Sequence, residues 1–111
     1  MTSSTHWTTV CKQTDLVLDS GICALVNEIQ VALFCLPSQD AVFAIANTDP
    51  FSQANVLSRG LVGSLGEDLV VASPVYKQHF CLRSGRCFED ESQSISSWPA
   101  RIENGNVEIL I

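Results

Sequence analysis

The chain is poor in positive charge. Six Lys and Arg residues stand against twelve Asp and Glu in 111 residues, a formal net charge of −6. Phosphate binding needs clustered cations, and these six are scattered from Lys12 to Arg101. That argues against nucleic acid as a partner and, for the same reason, against an anionic membrane surface. Long apolar runs are also missing. The longest mainly apolar stretch, VALFCL at 31–36, is far too short to cross a bilayer. The opening residues MTSSTHWTTVCKQTDL hold no basic region followed by an apolar run, so no signal peptide is expected. The reading is a cytoplasmic protein.

Histidine is scarcer still. Only His6 and His79 are present, whereas a Ser or Cys nucleophile needs a neighbouring base. No Gly-x-Ser-x-Gly elbow occurs. His79 lies beside Phe80 and Cys81 on an apparent strand, so no catalytic residue is assigned. The glycines of SRGLVGSLGED are followed by strand-like sequence, not by the helix that a phosphate cradle requires. They read as turns, with a loop from Gly63 to Gly66. The five cysteines, Cys11, Cys23, Cys35, Cys81 and Cys87, are odd in number and never at C-x-x-C spacing. In a cytoplasmic chain they read as reduced core residues. Cys81 and Cys87 flank LRSGR, an expected hairpin turn that would set them across two strands. Glu89, Asp90 and Glu91 read as a solvated acidic edge, with an acidic docking patch as the alternative.

What is present is a series of short apolar runs between turn residues. Apolar residues make up 46% and charged residues 16%, a globular balance that suits one domain spanning 1–111. HWTTVC is an expected first strand, followed by a turn at LDSG. ICALV and QVALFCL are strands joined tightly at Asn27 and Glu28. After a turn at LPSQD comes AVFAIAN, then EDLVVASP, QHFCLR and GRCFED. ARIENGNVEILI holds Asn104-Gly105, a strong two-residue hairpin signal. PFSQANVLS has room for one short helical turn, and Pro99 would end any helix in ESQSISSWPA. The expected fold is all-β, a small sandwich or barrel of about eight or more short antiparallel strands with at most short helical turns.

Two segments carry a resemblance. VFAIANTDPFSQANVLSRGLV (42–62) and LVVASPVYKQHFCLRSGRC (69–87) together resemble the Rieske pattern: strand, Cys-x-His, Leu-Ser-x-Gly, then Cys-x-x-His, strand and a Gly turn. In Rieske proteins two Cys hold one iron and two His hold the other. Carried over residue by residue, Cys-Pro-His falls on Asp49, Pro50 and Phe51, and Leu-Ser-x-Gly on Leu57 to Gly60. Cys-Pro-x-His falls on Ser73, Pro74, Val75 and Tyr76. Phe80 would be the aromatic beyond it, and Gly85 the turn. All four ligand positions, Asp49, Phe51, Ser73 and Tyr76, hold other residues. The five cysteines lie outside them. The resemblance therefore implies a Rieske-like (ISP-type) scaffold with no cluster, and no metal site is assigned. Phe51 and Tyr76 would fill the space the cluster leaves, since an apolar cavity is costly.

A cluster-free domain of this length is similar to the small-subunit family of bacterial NADH-dependent nitrite reductase. HWTTVCKQTDLVLDSGICALV resembles its opening. QVALF, VFAIANTDPF, VLSRG, VVASP and RCFEDE resemble its core, and ARIENGNVEI its closing hairpin. The resemblance implies a cofactor-free, non-catalytic subunit beside a large subunit with FAD, a [4Fe-4S] cluster and sirohaem, passing electrons from NADH to nitrite to give ammonium. It also implies docking through the tip of the two loops, with Phe51, Arg59, Tyr76, Lys77 and His79 at the interface and Asp49 in its polar rim. Two other readings stand beside it: a Rieske-type [2Fe-2S] ferredoxin, which would need the missing ligands, and a stand-alone β interaction domain.

Overall fold

The computed structural model describes residues 6–36 and 41–111. Ten strands occur among them: β1 (Trp7–Lys12), β2 (Gly21–Val26), β3 (Ile29–Leu36), β4 (Ala41–Ala46), β5 (Leu61–Leu65), β6 (Asp68–Ala72), β7 (His79–Cys81), β8 (Ser97–Trp98), β9 (Ala100–Glu103) and β10 (Asn106–Leu110). They form three antiparallel sheets, ordered β1-β10-β9, β2-β3-β4-β8 and β5-β6-β7. Among the described residues helical structure is limited to the 3₁₀ turns Gln13–Asp15, Leu57–Arg59 and Glu91–Gln93. The all-β expectation holds.

The central sheet explains why VALFCL does not alternate. Ala32, Phe34, Leu36, Phe43 and Ile45 face one core, which also takes Leu57, Val71, Phe80, Leu82 and Cys87. Val31, Leu33, Val42 and Ala44 face a second core with Val26, Val107 and Ile109. Strands β3 and β4 are thus covered on both faces over 31–34 and 42–45, so those positions favour apolar side chains. The first core joins the central sheet to β5-β6-β7 and positions the loops between them. The second joins it to the terminal sheet.

Turn chemistry sets the registers. Asn27 and Glu28 both have positive φ (49° and 67°), as do Asn104 and Gly105 (52° and 79°). These are the twisted two-residue turns that suit adjacent antiparallel strands. Asn is at ease there. Glu28 is not, because its Cβ crowds the backbone.

Several expected elements shift. The Gly63–Gly66 loop is instead β5 and a tight turn: Gly63 pairs with Val70 inside the sheet, and only Gly66 has positive φ. GRCFED forms no strand. Cys87 makes one isolated bridge, to Phe80, and Cys81 N–H donates to the Arg86 carbonyl instead. Phe80, not Cys81, therefore stands opposite Cys87, and both buried thiols are free. ESQSISSWPA supplies a 3₁₀ turn and the two-residue β8. The LPSQD turn lies, after Leu36, outside the described residues. Gly85 does form the expected turn. Its φ is 78°, and a Cβ there would come within 1.9 Å of the Ile95 carbonyl oxygen, so no other residue fits without moving the backbone.

Candidate functional site: two matched loops

The loop after β4 and the loop after β6 share one backbone design. Each opens on a fully buried polar residue, Asp49 or Ser73, followed by proline. In the first, Asp49 N–H donates to the Ala54 carbonyl (2.8 Å), and Gln53 N–H donates back to the Asp49 carbonyl (2.7 Å). In the second, Ser73 N–H donates to the Gln78 carbonyl (2.9 Å), and Lys77 N–H donates to the Ser73 carbonyl (3.1 Å). The fifth residue is left-handed in both, Gln53 at φ 62° and Lys77 at φ 68°. The opening side chain takes the amide two residues on. Asp49 Oδ1 accepts from Phe51 N–H (2.8 Å), and Ser73 Oγ accepts from Val75 N–H (3.3 Å).

The two loops meet at those side chains. Ser73 Oγ–H donates to Asp49 Oδ2 at 2.5 Å. Asp49 Oδ1 also lies 3.4 Å from Ser52 N–H. Both carboxyl oxygens are thus engaged, which is what a buried polar group requires. Asn47 anchors the base of the first loop. It is 1% exposed. Its Oδ1 accepts from Ser58 N–H (2.7 Å) and its Nδ2 donates to Gln30 Oε1 (3.1 Å), tying the 3₁₀ turn Leu57–Arg59 to β3. Nothing in the sequence pattern marked Asn47 and Gln30 as partners, seventeen positions apart.

The aromatic positions diverge. Phe51 is half-buried, packs on the first core and meets Phe80 with ring centroids 6.4 Å apart. Tyr76 is 59% exposed, so it does not fill the tip as expected, because its loop turns the ring outward. Arg59 and Lys77 are exposed. His79 is held from the side: Glu89 Oε1 accepts its backbone N–H (2.7 Å), and Glu89 Oε2 lies 2.6 Å from its Nδ1. Burial pushes the Glu89 carboxyl up, but the hydrogen bonds from the His79 backbone and ring, with the ring's charge, outweigh it. The net pKa is below the ordinary 4.5. The neighbouring acids also have work. Asp90 caps the 3₁₀ turn Glu91–Gln93 through Ser92 N–H (3.1 Å), and Glu91 sits 3.3 Å from Arg86 Nε. The expected acidic edge is exposed, yet each carboxylate has an internal partner.

This donor set does not fit a [2Fe-2S] cluster, which binds through thiolates and imidazoles. The four positions offer one carboxyl group with both oxygens engaged, one hydroxyl spent on it, a phenyl ring and an outward phenol. Among the described residues no three His, Cys, Asp or Glu side chains gather as metal ligands.

Paired proline loops closed on each other, carried between a two-faced central sheet and a small three-stranded one, define a Rieske-like domain. Residues 6–110 match the family described as the Rieske-like [2Fe-2S] domain. Within that frame the chain belongs to the family of NADH-dependent nitrite reductase small subunits. It is 44% identical over 104 residues to the nitrite reductase (NADH) small subunit of Escherichia coli K12, covering 94% of this chain and 96% of that protein. A crystal structure of a putative NADH-dependent nitrite reductase small subunit from Mycobacterium tuberculosis superposes with a TM-score of 0.90 at 39% identity, covering 98% of this chain and 97% of the other. In the nitrite reductase [NAD(P)H] large subunit of Klebsiella oxytoca a similar stretch, 42% identical over 104 residues, makes up 11% of a longer polypeptide and covers 94% of this chain.

Proposed function

We propose that this chain is the small subunit of a cytoplasmic NADH-dependent nitrite reductase, which reduces nitrite to ammonium. It is cofactor-free and does no chemistry of its own. FAD, the [4Fe-4S] cluster and sirohaem belong to the large subunit, which this chain completes by docking. The carrying observation is the end-to-end match to nitrite reductase small subunits. The tip geometry supports it: two of the four positions that would hold iron, Asp49 and Ser73, are committed to an internal hydrogen bond. The Klebsiella protein adds a physical reason for partnership. Joining two modules in one polypeptide raises their effective concentration to the millimolar range, which is useful for domains that act together.

Docking through the tip is part of this reading, with Phe51, Arg59, Tyr76, Lys77 and His79 as its residues. Their roles differ. Tyr76 is available as an anchor, whereas Phe51 supports the loop from beneath. The test is co-expression with a large-subunit chain, followed by size-exclusion chromatography and an NADH-dependent nitrite assay. Co-elution and activity that requires both chains are expected. Separate elution, with a large subunit fully active alone, would sink the proposal. The purified small chain should be colourless and iron-free. A brown protein with two irons would favour the ferredoxin reading instead.

A further inference from the structure

The cations of this acidic chain are unevenly committed. Arg86 and Arg101 pair with Glu91 and Glu108, and Arg83 lies over the Phe43 ring. Lys12, Arg59 and Lys77 have neither a carboxylate nor a ring partner among the described residues. Two of these three stand on the paired loops. Loop residues 47–60 and 73–79 hold a single carboxyl group, that of Asp49, and it is buried and bonded to Ser73. Glu89, at the flank, is taken by His79. The tip is therefore a cationic spot on a molecule of net charge −6.

The same end exposes apolar surface. Leu61 is 79% exposed, Tyr76 59% and Val75 42%. Leu61 follows Arg59 by two residues and pairs with Ala72, at the root of the second loop. An apolar patch bordered by charges of one sign is the make-up of a protein interface. Two cations are too few to hold a nucleic-acid backbone, and a second copy's tip would bring like charges together.

Resting on the subunit reading above, we propose that this tip recognises an acidic, partly apolar surface of the large-subunit chain. Arg59 and Lys77 meet its carboxylates, and Leu61 and Tyr76 fill its apolar centre. Charge at such a rim acts mainly on the association rate and its salt dependence, and apolar anchors act on dissociation.

The experiment immobilises the separately purified holo large subunit and measures small-subunit binding by biolayer interferometry at about 50 and 300 mM NaCl, a range over which screening between exposed charges rises strongly. Arg59→Glu combined with Lys77→Glu should weaken binding about 100-fold at low salt, mostly through slower association. Leu61→Ser should weaken it about tenfold through faster dissociation. Lys12→Glu, the same charge change on a different sheet, should stay within about twofold. Circular dichroism checks that each variant folds. If the wild type binds and the double reversal binds within about threefold of it at both salts, the tip proposal is overturned while the subunit reading stands. If the wild type does not bind, the subunit reading fails and takes this proposal with it. Self-association of the small chain that shows the same sensitivities would assign the tip to a second copy and also overturn the proposal.

Discussion

At the scale of single residues, the central event is that Asp49 and Ser73 bond to each other. Removing either partner orphans one buried polar group of the other, Asp49 Oδ2 or the Ser73 O–H. Asp49→Ala should cost about 2–3 kcal/mol and Ser73→Ala about 1–3 kcal/mol in urea unfolding. The double variant should cost less than the sum, because no orphan remains from the shared bond. Additive losses would show that the bond is not the coupling. Glu89 gives a pH signature. Its folded pKa lies below the ordinary 4.5, so its contribution is present above that value and is lost as pH falls through the lower folded one. Thermal scans from pH 6 downward should show Glu89→Gln differing from the wild type near neutrality and converging with it only in acid, as pH falls below 4.5 and through the lowered folded pKa. The positions of Asp49 and Ser73 were legible in the motif spacing. Their mutual bond was not, since a one-dimensional pattern says nothing about which loops touch. Asn47 was hidden for the same reason, its partner Gln30 lying on another strand.

At the scale of elements, strands were legible where turn residues bracket apolar runs, as at Asn104-Gly105. Failures came where glycine or crowding blurred the pattern. Gly63 to Gly66 looked like loop because of its glycines, yet Gly63 and Ser64 pair with β6 as part of β5. RCF looked like strand, but only Cys87 bridges to β7. The β2–β3 turn carries a testable strain. Glu28 sits at φ 67°, where glycine has no Cβ penalty. Glu28→Gly should raise stability by about 0.5–1 kcal/mol, read as a higher denaturation midpoint with unchanged slope. Gly85→Ala should do the opposite. It combines φ 78° with a Cβ 1.9 Å from the Ile95 carbonyl, and a loss of about 3 kcal/mol or more is expected, seen as a fall in melting temperature.

At the scale of the whole molecule, two cores share the central sheet. We propose that the three sheets and the paired-loop tip therefore unfold as one unit. In a Trp7→Phe variant, unfolding followed by Trp98 fluorescence, on the second core, and by hydrogen exchange at Val71 and Phe80, on the first, should report one transition midpoint; two midpoints would show that the cores come apart independently. The bond between Asp49 and Ser73 has a bearing on how the molecule is made. An inorganic cluster has to be built and delivered, competes for scarce iron, and is lost to oxidants. A hydrogen bond between two side chains closes as the chain folds and re-forms if broken. On the proposed cluster-free reading, a tip held that way would mature without drawing on the cell's iron supply.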